Sequence, residues 1–148
     1  PAANLTGTLP AIDGSALTGI ADATKLPLAG GTLTGATIFN AYAAFNASIL
    51  EGVYTVTSFN SLTLSAYNGS IQTLTLGHSP SVNVSLSSGQ SLLLLVTAGS
   101  YTMTFNGNTP AIKWVGGSNP TLSTTDVTAL EFWAVGTQVY GAAVGDLS

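Results

Sequence analysis

Beyond Glu51 the chain alternates apolar and polar residues with a period of two, which is typical of strands that bury one face. The stretch 82–86, Val-Asn-Val-Ser-Leu, shows this most clearly, and clusters of Gly, Asn, Ser and Pro separate it from its neighbours. Comparable stretches span 53–59, 62–66, 71–76, 90–97, 101–106, 112–115, 127–135 and 138–144. Their number and spacing predict an all-β end domain, built as an antiparallel β-sandwich or a jelly roll.

Two of the connections between these strands carry turn signals. Ala98-Gly99-Ser100 is a short loop that contains glycine, and Gly136-Thr137 places glycine first in a two-residue turn. Both patterns predict β-hairpins.

The stretch 92–96, four leucines and a valine, breaks the alternation because both of its faces are apolar. The core of the domain covers one face, and the other face then requires a further layer or a neighbouring subunit. A central strand within one large sandwich explains the pattern equally well. If a neighbouring subunit covers the second face, Leu93 and Leu95 are the candidates for packing between chains.

Residues 1–36 follow a different pattern, in which the motif x-L-T-G recurs around Leu5, Leu17 and Leu33. Pro10, Pro27 and the glycines exclude a continuous coiled-coil helix. A single chain with so few large side chains cannot offset an ordering entropy of about 1–2 kcal/mol per residue. We therefore predict an extended shaft in which three chains share a core of these leucines, with a flexible linker as the alternative.

Residues 37–51 fit a helical stripe and a strand about equally well, and we interpret them as a connector. This assignment places the end domain at residues 52–148.

Charge is scarce along the whole chain. Charged residues make up 5% of the sequence, against about 25% in an average soluble domain, and Lys25 and Lys113 are the only cations. A net charge of −4 argues against nucleic acids and anionic membrane surfaces as partners, and no apolar run approaches the roughly 20 residues that span a bilayer. Because so little charge repulsion separates copies, we predict that the chain associates with itself.

The sequence offers few residues for catalysis. It has no Cys, and its single histidine, His78, lies in a predicted turn, which argues against a metal site and a catalytic triad. Asp126 and Glu131 are the closest acids in a set that is otherwise scattered, and five residues apart on a strand they point to opposite faces. No nucleotide-binding motif is present. We therefore predict no enzyme activity and no cofactor or metal.

Aromatic and amide side chains are the remaining groups suited to recognition. Trp114 and Trp133 lie in predicted strands, so a core position is the default for both. Trp114 nevertheless leads into the loop 116–120, which contains Asn119, and Asn108 lies in a second polar loop at 106–110. Asn108, Trp114 and Asn119 are therefore the candidates for contact with a receptor.

Two parts of the sequence resemble a known family. The stretches 3–10, 14–19 and 23–35, including Leu26-Pro27-Leu28-Ala29-Gly30-Gly31-Thr32-Leu33-Thr34-Gly35, are similar to repeats in the shafts of tailed-bacteriophage tail fibres. The last third, with Ile112-Lys113-Trp114-Val115-Gly116-Gly117 and the closing strands to Gly141, resembles the β-rich end domain of such fibres. Val115 stands where proline is common in those domains, and Gly136-Thr137 where two glycines are common.

The resemblance implies a homotrimer on the virion tail that attaches to a host receptor, either a surface polysaccharide or an outer-membrane component. It also implies other tail proteins as partners, bound through an N-terminal part that is missing. The chain shows no signal peptide and does not begin with Met, which indicates processing or a fragment. A capsid or neck appendage with a purely structural role is the first alternative, and a fibre-borne enzyme that degrades polysaccharide is the second.

Overall fold

The computed structural model describes Asn46 and residues 48–148, which belong to the second of the two units into which the chain divides, Phe45–Ser148. The predicted shaft, its leucines Leu5, Leu17 and Leu33, and most of the predicted connector lie outside the described residues. The described part is all-β apart from one short 3-10 helix, Ala66–Asn68. Its strands are β1 (Val53–Val56), β2 (Ser61–Ser65), β3 (Ile71–Thr75), β4 (Ser81–Ser85), β5 (Ser91–Thr97), β6 (Lys113–Trp114), β7 (Val127–Val135) and β8 (Gln138–Leu147).

The strands form two sheets. The six-stranded sheet, called sheet A below, has the order β1-β3-β5-β7-β8-β6, and the two-stranded sheet, called sheet B, pairs β2 with β4. From β1 to β5, successive strands along the chain alternate between the two sheets. Each strand therefore pairs with the strand two positions later rather than with its immediate neighbour.

This alternation winds the chain into a coil of parallel strands. In sheet A, Val53 pairs with Ile71, and Ile71 in turn pairs with Leu93. In sheet B, Ser61 pairs with Ser81, and Ser81 forms a further parallel bridge with Thr104. The pairing partners lie about 20 residues apart in the sequence, which is the spacing of stacked solenoid turns.

A β-hairpin closes the coil at its C-terminal end. β7 runs antiparallel to β5, β8 runs antiparallel to β7, and the short β6 adds to β8 in parallel. Val135 pairs with Gln138 across the Gly136-Thr137 turn, and Gly136 has φ 60°, the conformation that a type II′ turn requires at its first central residue. The hairpin predicted at this turn is confirmed.

The two sheets enclose one hydrophobic core. Alternate residues of each strand point into it, as the period of two requires. Phe132, Leu64, Leu74, Leu92, Leu94 and Leu130 are its largest fully buried apolar side chains. Sheet B contributes Leu62, Leu64, Val82 and Val84, so the core depends on both layers.

One buried amide fixes a corner of the coil. Gln72 lies on the inner side of β3 with 1% of its surface exposed. Its Nε2 donates to the carbonyl oxygen of Ser65 at 2.7 Å and to that of Gly69 at 3.0 Å. These bonds tie β3 to the turn that connects it with β2.

The prediction of an antiparallel fold is wrong. Four of the six strand pairings in the described residues are parallel, and only the pairings that involve β7 are antiparallel. The hairpin predicted at Ala98-Gly99-Ser100 is also wrong, because the chain passes there from β5 in sheet A to the segment around Thr104, which bridges β4 in sheet B. A period of two shows which face a residue occupies but carries no information on strand direction.

Candidate interaction surface

The outer face of sheet B is polar along its whole length. The outward residues of β2 are Ser61, Thr63 and Ser65, and they pair in register with Ser81, Asn83 and Ser85 of β4. The adjacent segment extends this surface, since the hydroxyl of Ser81 donates to the side-chain oxygen of Asn106. Short uncharged side chains of this kind suit contact with water.

The outer face of sheet A is largely apolar. Its outward positions follow from the register, because Leu92, Leu94, Phe132 and Val139 point into the core and their neighbours therefore point away from it. The row through the middle of the sheet runs Val53, Ile71, Leu93, Glu131, Ala142. One neighbouring row contains Thr55, Thr73, Leu95 and Ala129, and the other contains Ser91, Trp133, Tyr140 and Lys113.

Leu93 and Leu95, the two predicted candidates for packing between chains, stand on this outer face at the centre of the sheet. Both are half-buried, and they are flanked by Ile71 and Thr73 on one side. Val53, at the edge of the same face, is 63% exposed. A soluble monomer rarely leaves a contiguous apolar sheet face exposed to water.

Trp133 also belongs to the outer face of sheet A, so the prediction that it lies in the core is wrong. Its indole ring stacks on the ring of Tyr140, with a centroid distance of 5.9 Å and an interplanar angle of 10°. Phe132, the preceding residue, occupies the core. The register of the strand, set by the neighbouring buried Leu130, decides between the two aromatic residues.

Two charged residues lie on this apolar face. Glu131 lies in the central row beside Leu93, and Lys113 lies beside Tyr140 on the edge strand β6. Both side chains are exposed, and β8 separates their strands. Lys113 is the only Lys or Arg within the described residues, so the only cation of the described part stands on this face.

Trp114, a predicted receptor contact, packs on the inner side of sheet A. Its ring lies 4.9 Å from that of Phe105 and 5.7 Å from that of Phe132, both edge to face, and it is half-buried. Gly141 makes room for it, because a Cβ at that position would lie 2.7 Å from the ring carbon Cζ3. Contact between Trp114 and a receptor stays a prediction, and its observed contacts stabilise the aromatic core.

The two predicted amide contacts have different surroundings. Asn108 is engaged within the domain: its Nδ2 donates to the carbonyl oxygen of Val84 at 2.7 Å, and its Oδ1 accepts from the amide of Val84 at 2.8 Å. This pair of bonds replaces a strand partner along the edge of β4. Asn119 is exposed in its loop. Asn108 thus uses its side chain to bind a strand of the domain, whereas Asn119 does not. Contact of either residue with a receptor stays a prediction.

The remaining titratable groups are dispersed over the described part. Asp126 lies in the turn before β7, where its Oδ2 accepts hydrogen bonds from Ser123 and Thr125. Asp146 accepts a hydrogen bond of 2.6 Å from the hydroxyl of Thr128. His78 is exposed in its turn. In residues 48–148 and Asn46 no group of three or more His, Cys, Asp or Glu side chains is arranged to hold a metal ion, and none of the helices described there has the length and hydropathy to cross a bilayer.

Comparison with known proteins adds no relative to these observations. No protein-family model, curated protein or solved structure matches the chain. Arguments about function therefore rest on the residues and on the two sheet faces described above.

Proposed function

We propose that the chain is the distal part of a homotrimeric tail fibre of a bacteriophage, a virion structural protein that attaches to a receptor on the host surface. The observation that carries the self-association part of this proposal is the difference between the two outer faces. Sheet B turns only Ser, Thr and Asn outward, whereas sheet A turns Val, Ile, Leu, Trp and Tyr outward together with a smaller number of polar residues such as Thr73 and Ser91. The apolar face supports burial against identical chains.

The free energy of burying apolar surface favours association of identical chains through the outer face of sheet A. Apolar surface contributes about 25 cal/mol for each Å² removed from water, and a leucine side chain contributes about 1.5–3 kcal/mol when it becomes fully buried. Leu93, Leu95 and Ile71 stand together on a face that has no charge on β1, β3 or β5. Covering this part of the face with other copies therefore gains free energy, and the nearest charge, Glu131 opposite Leu93, then requires a partner.

The coiled architecture supports a structural role. Parallel strands that stack side by side make a rigid, extendable scaffold in which each turn contacts mainly its neighbours. A chain of this kind suits a projecting appendage, and the loops at its surface are then free to vary and to bind. The exposed loop at 116–120, which includes Asn119, is the part of the proposed receptor surface that the geometry leaves most accessible.

No specific observation favours the enzymatic alternative over this proposal. Glu131 stands among apolar residues on the outer face of sheet A, whereas Asp126 is held by hydroxyl groups in the turn before β7. A glycosidase needs two carboxyl groups about 5–10 Å apart across a sugar. Loss of polysaccharide cleavage on Glu131→Gln or Asp126→Asn would contradict the non-enzymatic proposal.

The attachment role is tested with purified, fluorescently labelled protein and a panel of bacterial strains. We expect saturable binding to the strains on which the parent phage grows, together with reduced adsorption of that phage when unlabelled protein is in excess. Asn119→Ala should weaken cell binding while leaving the thermal unfolding unchanged. A trimer that binds no strain at saturating concentration would contradict the attachment role and would favour the neck or capsid appendage.

A further inference from the structure

The two charges on the outer face of sheet A are placed where self-association would bury them. Glu131 stands opposite Leu93 on β5 and Ala142 on β8, so its nearest neighbours across the sheet are apolar. Lys113 stands opposite Tyr140. A carboxylate covered by another copy without a partner would lose its hydration at a cost of several kcal/mol. If this face is an interface, each of the two charges therefore needs a partner within it.

Within one copy the two charges stand well apart. β8 lies between β7 and β6, which sets the two backbones about 10 Å apart, and the positions differ by a further two residues, or about 7 Å, along the strands. The Cα atoms are therefore separated by about 12 Å, so an ion pair within one copy would require both side chains to lie nearly extended toward each other across β8. A neighbouring copy can supply the complementary charge without holding both side chains of one copy in that extended geometry.

We infer that copies of the chain meet on the outer face of sheet A with Lys113 of one copy paired to Glu131 of the next. This inference rests on the proposed self-association and names its surface and its orientation. In the proposed trimer each copy presents Lys113 to one neighbour and Glu131 to the other, which gives a head-to-tail order around a closed ring. The apolar residues Leu93, Leu95 and Ile71 supply the buried area, and the charges exclude orientations that would bring like charges together.

Charge reversal tests the pairing. We expect Glu131→Lys and Lys113→Glu each to raise the concentration at half-association at least tenfold, because each brings like charges together. The double variant should recover most of the wild-type association, since it restores the attraction with the signs exchanged. Thr63→Lys and Thr63→Glu on the outer face of sheet B add the same charges elsewhere and should leave association unchanged.

Three outcomes are separable in sedimentation equilibrium combined with thermal unfolding. A monomeric wild-type protein would contradict the proposed self-association itself. A wild-type oligomer that is indifferent to both single reversals, or is not restored by the double variant, would overturn only the assigned surface. Reversals that lower the unfolding temperature equally in monomers and oligomers would show that the pair forms within one copy, which also overturns the inference.

A chemical crosslink tests the same pairing in the protein with its wild-type sequence. A carbodiimide converts the Glu131 carboxylate to an O-acylisourea, the Lys113 amine attacks its acyl carbon, and the urea leaves, so an amide forms only where the two groups touch. We expect this crosslink in a trimer refolded from mixed ¹⁴N and ¹⁵N chains, with peptides that join one light and one heavy copy. Lys113→Arg keeps the positive charge but blocks the amide, so it should associate normally without the crosslink. Crosslinked peptides of one isotope only, or none in an associated protein, would overturn the inference.

Discussion

Sheet A and sheet B build one core from their inner faces but present opposite outer faces. Inward, both sheets use Leu and Val, and the core would be incomplete without either. Outward, β2 and β4 carry only Ser, Thr and Asn, whereas β3 and β5 carry Ile71, Leu93 and Leu95 at the centre, with Ser and Thr at their other outward positions. The same period of two operates in both sheets, so the outer residues are free to differ without changing the fold.

This difference separates two requirements on the sequence. The inner faces determine that the chain folds as a coil of strands, and the outer faces determine what the folded chain contacts. Sheet B needs no cover because its hydroxyl and amide groups bind water. Sheet A gains free energy when it is covered. The predictions below test this contrast from its largest expected effect to its smallest.

The largest effect is expected from making sheet A resemble sheet B. Leu93→Asn with Leu95→Asn should weaken association by about 1.5–3 kcal/mol, equivalent to roughly tenfold to a hundredfold, because two leucines that are half-buried in one copy no longer bury their remaining apolar surface between copies. Light scattering over a dilution series measures this change. Thr63→Asn, on the outer face of sheet B, is the matched control and should leave the mass unchanged. Unaltered association of the double variant would show that this face is not the interface.

A smaller effect is expected at the inner side of β8. Gly141→Ala places a methyl group within 2.7 Å of the Trp114 ring and should lower the free energy of unfolding by about 1–3 kcal/mol. Because Trp114 anchors β6, the variant should also displace Lys113 and weaken association. Urea unfolding followed by tryptophan fluorescence gives the stability. Gly52→Ala, where an added Cβ meets nothing within 4 Å, should change it by less than about 0.5 kcal/mol. Equal effects of the two substitutions would contradict the packing described for Trp114.

Sheet B can be weakened at its edge without touching its outer face. Asn108→Ala removes both hydrogen bonds to Val84 and should cost about 1–2 kcal/mol of stability, with little effect on association. Asn119→Ala, in an exposed loop, should cost less than about 0.5 kcal/mol. Chemical unfolding distinguishes the two. A normal stability for Asn108→Ala combined with lost cell binding would instead indicate that Asn108 contacts the receptor directly.

The smallest effect is expected on the outer face of sheet B. Thr63→Lys places a long charged side chain on an exposed strand position and should alter stability by no more than about 0.5 kcal/mol. Its mass in solution should equal that of the unaltered chain. Dissociation of this variant would show that sheet B is also covered, which would remove the contrast between the two faces.

Most strand positions could be predicted from the sequence, whereas the strand partners could not, and the predicted strand at 101–106 forms only an isolated bridge at Thr104. Alternation located β2, β3, β5, β7 and β8 within a few residues, because burial of every second side chain leaves a direct trace. No comparable sequence pattern indicates the parallel pairing of the coil. Pairing of Val53 with Ile71, or of Ser61 with Ser81, depends on contacts between residues about 20 positions apart. Short connections that contain glycine serve equally well as hairpin turns and as arcs between two sheets.

The candidate surface was predictable in part. Leu93 and Leu95 were identified because a strand with two apolar faces needs two covers, and the structure places both residues on the outer face. Trp133 was missed because aromatic residues in strands are usually assigned to the core. The signal was present in its neighbours: Phe132 and Leu130 share the inner face, and that leaves Trp133 outside. Asn108 could not be assigned, since its bonds to Val84 depend on a loop returning to a strand 24 residues earlier.

The mass of the intact chain in solution tests the central claim most directly. Multi-angle light scattering at micromolar concentration should give three times the chain mass of 14.8 kDa, the mass of the proposed trimer, because burial of the outer face of sheet A between copies favours association. A mass of 14.8 kDa at that concentration would show that the apolar face stays open to water, and would contradict the account.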